Sequence, residues 1–164
     1  MNYIIFAILL LLIPATLFIK RGMRGPTHTI ESISRAIRDL LKRGFDCGFL
    51  IISISGTKNF IQLRKYITSS GNFGIKLFFP NANWSADYYE KLKTKCINEK
   101  MKYSIVKKEQ DNELEFIKVD FKKDSNNAHE FVKEVILEIF EVSDTVKLYV
   151  KLENATTEDI LIDR

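Results

Sequence analysis

The chain has 164 residues, of which 46% are hydrophobic and 28% charged, and its 25 basic and 21 acidic side chains give a net charge of +4. This composition is too apolar and too weakly charged for an intrinsically disordered protein, and the length suits one folded domain. Cys47 and Cys96 are the two cysteines, which excludes a disulfide-rich scaffold and a cysteine-rich zinc site.

An uninterrupted apolar segment opens the chain: residues 3–19 carry no charged side chain, and Lys20, Arg21 and Arg24 follow it. A helix of this length spans roughly 25 Å, close to the minimum for crossing a bilayer core. A cleaved signal peptide would have positive charge before the apolar segment and small residues after it. A core helix that is apolar on all sides would need other elements of a small domain to cover it. We therefore predict a transmembrane anchor at residues 1–19 and a basic linker at residues 20–27. The three cations predict that the rest of the chain is cytoplasmic.

The first half of the following domain, which we place at residues 28–155, is expected to form one helix and three strands. Apolar residues recur at helical spacing over residues 30–41 and predict the helix. Thr29 is a suitable N-cap for it, and Gly44 can end it in the left-handed conformation. The three strands are expected at residues 48–55, 60–66 and 73–79, with Pro80 ending the last of them.

The second half adds two helices, a hairpin and a closing strand. Ser85 is expected to cap a helix at residues 86–101, and Asn127 with Glu130 to form a capping box for the third helix, whose apolar stripe runs from Phe131 to Phe140. Strands are expected at residues 103–108, 114–121 and 146–152, and residues 156–164 form a flexible tail. The predicted order α-β-β-β-α-β-β-α-β indicates an α+β fold in which helices cover an antiparallel sheet.

Few side chains indicate catalysis or metal binding. The two histidines, His28 and His129, fit solvated or capping roles, and both cysteines fit roles as small buried side chains. Three carboxylates cluster in the hairpin turn, where acidic side chains normally face water: Glu109, Asp111 and Glu113. No nucleotide-binding, zinc-protease or serine-hydrolase motif occurs. We therefore expect no enzyme, no cofactor and no metal site.

The candidate binding site is the aromatic segment between the third strand and the second helix. Aromatic side chains dominate protein interfaces, and neighbouring lysines can steer an acidic partner. The contact residues we predict are Phe79, Trp84, Tyr88, Lys91 and Lys95. Core packing is the alternative interpretation of the aromatic residues, and the interface would then move to the sheet face with Lys147, Tyr149 and Lys151. Interspersed glutamates argue against nucleic acid as the partner.

The order of elements over residues 30–142 resembles that of class I type III secretion chaperones and of the wider bacterial group of chaperone-like domains. The segments that carry the resemblance are residues 48–53, 60–63, 74–80 and 131–140. Members of that group bind other proteins through sheet and helix surfaces, often as dimers, and have no catalytic residues. The resemblance therefore implies a protein partner and a homodimer for this chain.

These features together predict a non-catalytic protein-binding module anchored at the cytoplasmic face of a bacterial inner membrane. It would escort a secretion substrate as a chaperone or neutralise a toxin as an immunity protein, and confinement to the membrane would raise its local concentration. A structural subunit of a membrane or secretion complex is the alternative. That role favours small residues on the transmembrane face, and the segment has only three small or hydroxyl residues, Ala7, Ala15 and Thr16, so the binding role is preferred.

Overall fold

The computed structural model describes residues 27–107 and 114–156, which form seven strands and three helices. The strands are β1 (Thr27–His28), β2 (Gly44–Ile54), β3 (Phe60–Ile67), β4 (Phe73–Pro80), β5 (Tyr103–Lys107), β6 (Glu115–Lys122) and β7 (Leu148–Ala155). The helices are α1 (Ile33–Arg43), α2 (Ala86–Asn98) and α3 (Ser125–Glu134), and α3 continues as a π-helix over Val135–Ile139.

The strands form one antiparallel sheet in the order β1-β7-β2-β3-β4-β6-β5. The predicted α+β fold with an antiparallel sheet is therefore confirmed. Thr27 was assigned to the linker, but it pairs with Tyr149 and makes β1 an edge strand. The predicted anchor, the linker before Thr27 and the tail from residue 157 lie outside the described residues. Within the described ranges, no helix is long and apolar enough to span a bilayer.

One face of the sheet is apolar and carries the helices. Side chains alternate along each strand, so Leu50 and Ile52 of β2 share a side with their counterparts on the neighbouring strands. On that side, strand and helix residues form one buried cluster, which includes Leu63, Leu77, Ile117, Val119, Ile33, Ile37, Leu92, Val132 and Ile136. Side chains on the opposite face are half-buried or exposed, which shows that the helices lie on one side only.

The start and the end of α1 differ from the sequence prediction. Thr29 caps the turn that leads into the helix: its Oγ1 accepts the backbone N–H of Ser32 (3.3 Å), and its own backbone N–H donates to Ser32 Oγ (2.9 Å). The regular helix begins only after this turn, at Ile33. Gly44 is extended (φ −63°, ψ 137°) rather than left-handed, and it opens β2 directly. A Cβ on Gly44 would lie 2.6 Å from the carbonyl oxygen of Leu40, so a glycine is needed where the helix passes straight into the strand.

The other two helices have boundaries set by contacts that the pattern of residues did not indicate. Asp124 caps α3 in place of the predicted capping box, because its carboxylate accepts the backbone N–H of Asn127 (2.9 Å). The buried hydroxyl of Ser85 donates to the carbonyl of Pro80 (2.6 Å) and fixes the turn before α2 instead of capping it. α2 ends before its predicted boundary, and Lys100 takes the left-handed conformation (φ 53°) just beyond it.

The apolar stripe of α3 provides a test of this packing. Phe131 and Ile136 are 2% and 0% exposed, and truncation of either leaves a cavity. We expect Phe131→Ala and Ile136→Ala each to lower the free energy of unfolding by about 2–5 kcal/mol. Ile97→Ala, at a side chain that is 56% exposed, is the control and should cost less than about 0.5 kcal/mol. Urea melts of a protein that begins at Pro26 measure the differences. Equally small losses in all three variants would contradict the placement of Phe131 and Ile136 in the core.

Candidate functional site

The aromatic residues of the predicted binding site form a packed row that joins the sheet to the helices. Trp84 stacks on Phe60 with ring centroids 4.9 Å apart, and it lies 6.4 Å from Phe79. Tyr88 meets Phe140 edge-on at 5.0 Å. Phe79 is 1% exposed, whereas Trp84 and Tyr88 are half-buried. The structure therefore places Phe79 in the core, and contacts within the domain already use the rings of the other two.

The two lysines of the predicted site are held in ion pairs. Lys91 pairs with Glu141 at the end of α3. Lys95 pairs with three carboxylates, those of Glu99, Glu134 and Glu138. Burial acts to lower the pKa of Lys95, but hydrogen bonds to these carboxylates outweigh it and raise the pKa above its ordinary value. The two cations thus join α2 to α3, and their charge is largely compensated before any partner approaches.

The cysteines and the histidines differ in how well they match the sequence interpretation. Cys47 is exposed rather than buried, because it lies at an irregularity of β2 and adopts a φ of 62°. Cys96 is buried as predicted, and burial raises the pKa of its thiol to about 11. His129 is buried rather than solvated, and its Nε2–H donates to the carbonyl of Ile30 (2.9 Å). His28 is half-buried in β1.

Groups that could support metal binding are sparse in the described residues. No three side chains of the His, Cys, Asp and Glu types lie close enough there to hold a metal ion. The carboxylates predicted to cluster in the β5–β6 turn (Glu109, Asp111 and Glu113) lie outside the described residues.

Lys65 has an environment that is unusual for a cation. It lies on β3 on the same face as Ile61 and Leu63, and it is 1% exposed. Its Nζ has no hydrogen-bond partner within the described part of the chain and lies 5.1 Å from the ring centroid of Phe73. Burial lowers the pKa of Lys65. An ammonium group in this position therefore works against the stability of the fold.

The sheet face opposite the helices is a broad surface of aromatic and charged side chains, which we call the open face. It consists of Phe49, Ile51 and Ser53 of β2, Phe60, Gln62, Arg64 and Tyr66 of β3, Lys76 and Phe78 of β4, Ser104 and Val106 of β5, Phe116, Lys118 and Asp120 of β6, and Tyr149, Lys151 and Glu153 of β7. All of these side chains are half-buried or exposed. A solvated sheet face is normally polar, and this one differs from that pattern in its aromatic content.

The charges of the open face are only partly compensated. Two ion pairs lie on it, Lys76 with Asp120 (3.9 Å) and Lys151 with Glu153. Arg64 and Lys118 have no carboxylate within 4 Å among the residues that the structure describes. In the strand register, Lys118 lies directly opposite Phe78, and Arg64 lies one position diagonal to it. The open face therefore combines positive charge with apolar rings at its centre.

Comparisons with protein-family models, with curated proteins and with solved structures gave no significant match to this chain. The likeness to secretion chaperones therefore rests on the order of the elements alone. β7 lies outside that pattern, yet it is an integral strand between β1 and β2.

Sequence reasoning named Tyr149 and Lys151 as an alternative surface but did not find the rest of the open face. A signal was present, because Phe49 and Phe78 alternate with core residues in their strands. The apolar character of β2 is nearly continuous from Phe49 to Ile54, so alternation alone could not indicate which side the helices cover. In β3, Lys65 continues the alternation of Ile61 and Leu63 and lies on the core side.

Replacement of Lys65 tests the cost of its burial. We expect Lys65→Met to raise the free energy of unfolding by about 1 kcal/mol at neutral pH, because an apolar side chain of similar length replaces a cation without a partner. The pKa of Lys65 is lower in the folded chain than its ordinary 10.5, so the unfolded chain binds more protons between these two values. The free energy of unfolding of the wild-type chain therefore rises with pH across that interval, and the extra stability of Lys65→Met over the wild type becomes smaller.

Urea melts at pH 7 and pH 10 measure both effects, with the exposed Lys102→Met as the control. A clear loss of stability in Lys65→Met at pH 7 would contradict an unfavourable role for the buried ammonium.

Proposed function

We propose that this chain is a non-catalytic, membrane-anchored module that binds a protein partner through its open face. The partner surface that fits presents apolar side chains next to carboxylates. The observation that carries the proposal is the set of half-exposed aromatic side chains beside two cations, Arg64 and Lys118, that have no carboxylate partner among the described residues.

The apolar side chains of the open face form a patch across the central strands, with polar side chains between them. Ile51 of β2 lies opposite Gln62, and Gln62 lies opposite Phe78 of β4. Phe116 and Tyr149 extend the patch on either side. Aromatic side chains bury a large area with few rotatable bonds, so a partner that covers them gains contact at a small cost in side-chain entropy.

The cations add selectivity for an acidic partner. A carboxylate placed beside Phe78 would come near both Arg64 and Lys118, because these residues flank that ring in the strand register. Such complementarity mainly increases the association rate and excludes basic competitors. The open face therefore fits a partner that is both apolar and acidic better than one that is only apolar.

Nucleic acid fits the open face less well than protein does. Base stacking requires a free aromatic face. Here Arg64 lies over the ring of Phe78 at 5.7 Å, and Lys76 lies over the ring of Tyr66 at 3.6 Å. A protein segment can contact the ring edges and the cations together, without displacing either cation from its ring.

The anchor is the second part of the proposal. Residues 3–19 would insert into a bacterial inner membrane, and Lys20, Arg21 and Arg24 would keep the domain on the cytoplasmic side. A chaperone for a secretion substrate and an immunity protein against a membrane-active toxin would both use such an arrangement. Membrane confinement would raise the local concentration of the binding face where the partner acts.

Site-specific photo-cross-linking in the native host tests the binding face. Benzoylphenylalanine in place of Tyr149 or Phe116 of the full-length chain should form an adduct with a protein partner on irradiation. Arg64→Glu in the same chain should reduce the adduct by about tenfold or more, because the reversed charge repels a carboxylate.

The matched controls lie outside the open face. Lys102→Glu makes the same kind of charge change at an exposed position and should leave the adduct unchanged. Adducts with nucleic acid, or adducts obtained only from a probe placed at Lys102, would contradict the proposed face. Adducts confined to other membrane-spanning chains would favour the structural-subunit alternative.

The orientation of the anchor is tested by fusions after Arg164. Alkaline phosphatase at this position should be inactive and green fluorescent protein should fluoresce, because the positively charged flank resists translocation. Membrane fractionation of the same fusions shows whether the chain is anchored. Active phosphatase in a membrane-bound fusion would contradict the cytoplasmic location.

A further inference from the structure

The exposed side of α1 is a row of cations. At about 100° per residue, Arg35, Arg38 and Lys42 lie opposite the buried Ile33 and Ile37. All three cations are exposed, and within the described ranges none has a carboxylate within 4 Å. We call these three side chains the α1 ridge.

The lysines of α2 and α3 form ion pairs, whereas Lys42 of α1 has none within the described residues. Lys91, Lys93 and Lys95 of α2 each pair with a glutamate. Lys133 of α3 pairs with Glu31. These pairs bring the α2 and α3 surfaces closer to neutrality, so the uncompensated positive charge of the helix layer is concentrated on the α1 ridge.

The position of α1 in the chain brings this charge near the predicted anchor. The linker between residue 19 and Thr27 has seven residues and reaches at most about 25 Å when fully extended. β1 then joins the sheet beside β7, and α1 packs over β7 and β2. The edge of the domain that carries α1 is therefore the edge at which the chain arrives from the anchor.

We propose that the α1 ridge docks on anionic lipid headgroups of the membrane that holds the anchor, an inference that rests on the anchored location given under Proposed function. An anionic bilayer surface attracts cations within about a Debye length, roughly 8–10 Å. Each Lys or Arg at such a surface shifts the equilibrium between docked and undocked domain by about fivefold. Three such residues shift it by about 100-fold, and the linker cations add to the same attraction.

Docking through the α1 ridge would also orient the open face. The ridge points away from the core on the helix side of the sheet, and the open face points away from the core on the other side. A domain that rests on its α1 ridge therefore turns the open face toward the cytoplasm. Ser104 of β5 lies on the open face and would therefore be on the side of the domain that faces away from the bilayer.

The full-length chain in lipid nanodiscs allows a direct test. A fluorophore on Ser34→Cys reports on α1, one on Ser104→Cys reports on the open face, and Cys47→Ser removes the exposed native thiol in both. Nitroxide-labelled headgroups quench a fluorophore that lies close to the bilayer. In discs with 30% phosphatidylglycerol, we expect strong quenching at position 34 and weak quenching at position 104. In discs of phosphatidylcholine alone, or in 0.5 M salt, quenching at position 34 should fall to the level at position 104.

Two triple variants separate the ridge from net charge. Arg35→Gln, Arg38→Gln and Lys42→Gln together should lower the ratio of docked to undocked domain by about 100-fold in anionic discs. Lys91→Gln, Lys93→Gln and Lys100→Gln remove the same charge elsewhere and should leave the quenching at position 34 unchanged. Circular dichroism establishes that both variants are folded.

The possible outcomes distinguish docking of the α1 ridge from anchoring of the chain in the membrane. Equal quenching at position 34 in anionic and neutral discs, or an undiminished signal in the ridge variant, would overturn docking while the anchor stands. If the chain does not enter nanodiscs at all, the anchored location is wrong and docking falls with it. Loss of quenching in the control triple variant as well would assign the attraction to net charge rather than to the α1 ridge.

Discussion

Burial of one face of the sheet under the three described helices is the constraint on which the rest of this structure depends. Each aliphatic side chain that is fully removed from water contributes about 1.5–3 kcal/mol, and the inner face supplies such residues on β2, β3, β4, β6 and β7. The helices add their own apolar stripes to the same cluster. Because this burial is one-sided, a second sheet face is left with aromatic side chains in partial contact with water, and that face is the basis of the proposed function.

Ion pairing divides the surface of the domain into regions with different roles. Between α2 and α3, lysines and glutamates lie within reach of each other, so their charges hold two helices together and offer little to a partner. Arg64 and Lys118 on the open face and the three cations of the α1 ridge lack such partners in the described part of the chain. A charge that is not used within the fold is available to an external ligand, and its position decides what that ligand can be. Next to apolar rings it favours an acidic protein, and next to the proposed anchor it would favour anionic lipid.

The aromatic row around Trp84 shows how a fold can occupy residues that resemble a binding site. Tryptophan and phenylalanine near a loop are common in interfaces, and the same large side chains are effective at closing the end of a core. Trp84 stacks on Phe60 of β3, and Phe79 is fully buried below it. The row therefore stabilises the junction between β4 and α2.

The sequence by itself determined the local structure of most elements and the fold class. Period-two and period-3.6 apolar patterns located the three helices and six of the seven strands, and short turns indicated antiparallel pairing. The strand β1 was missed because two residues carry no periodicity, and the pairing with β7 that defines them is long-range. Some helix ends were also displaced: α3 begins at Ser125 because Asp124 caps it through a hydrogen bond that a pattern does not specify, and α2 ends at Asn98.

Only the tertiary structure decided which of these residues are available for function. Phe78 is half-buried and Phe79 is fully buried because the helices cover only the side of the sheet on which Phe79 lies. The two residues are of the same type and are neighbours in one strand. Lys95 and Arg35 are alike as residues on predicted helices, but only the packing of α2 against α3 places three carboxylates around Lys95. Composition and spacing fix what each side chain can do chemically. Contacts between segments distant in sequence decide whether that chemistry is used inside the fold or remains free at its surface.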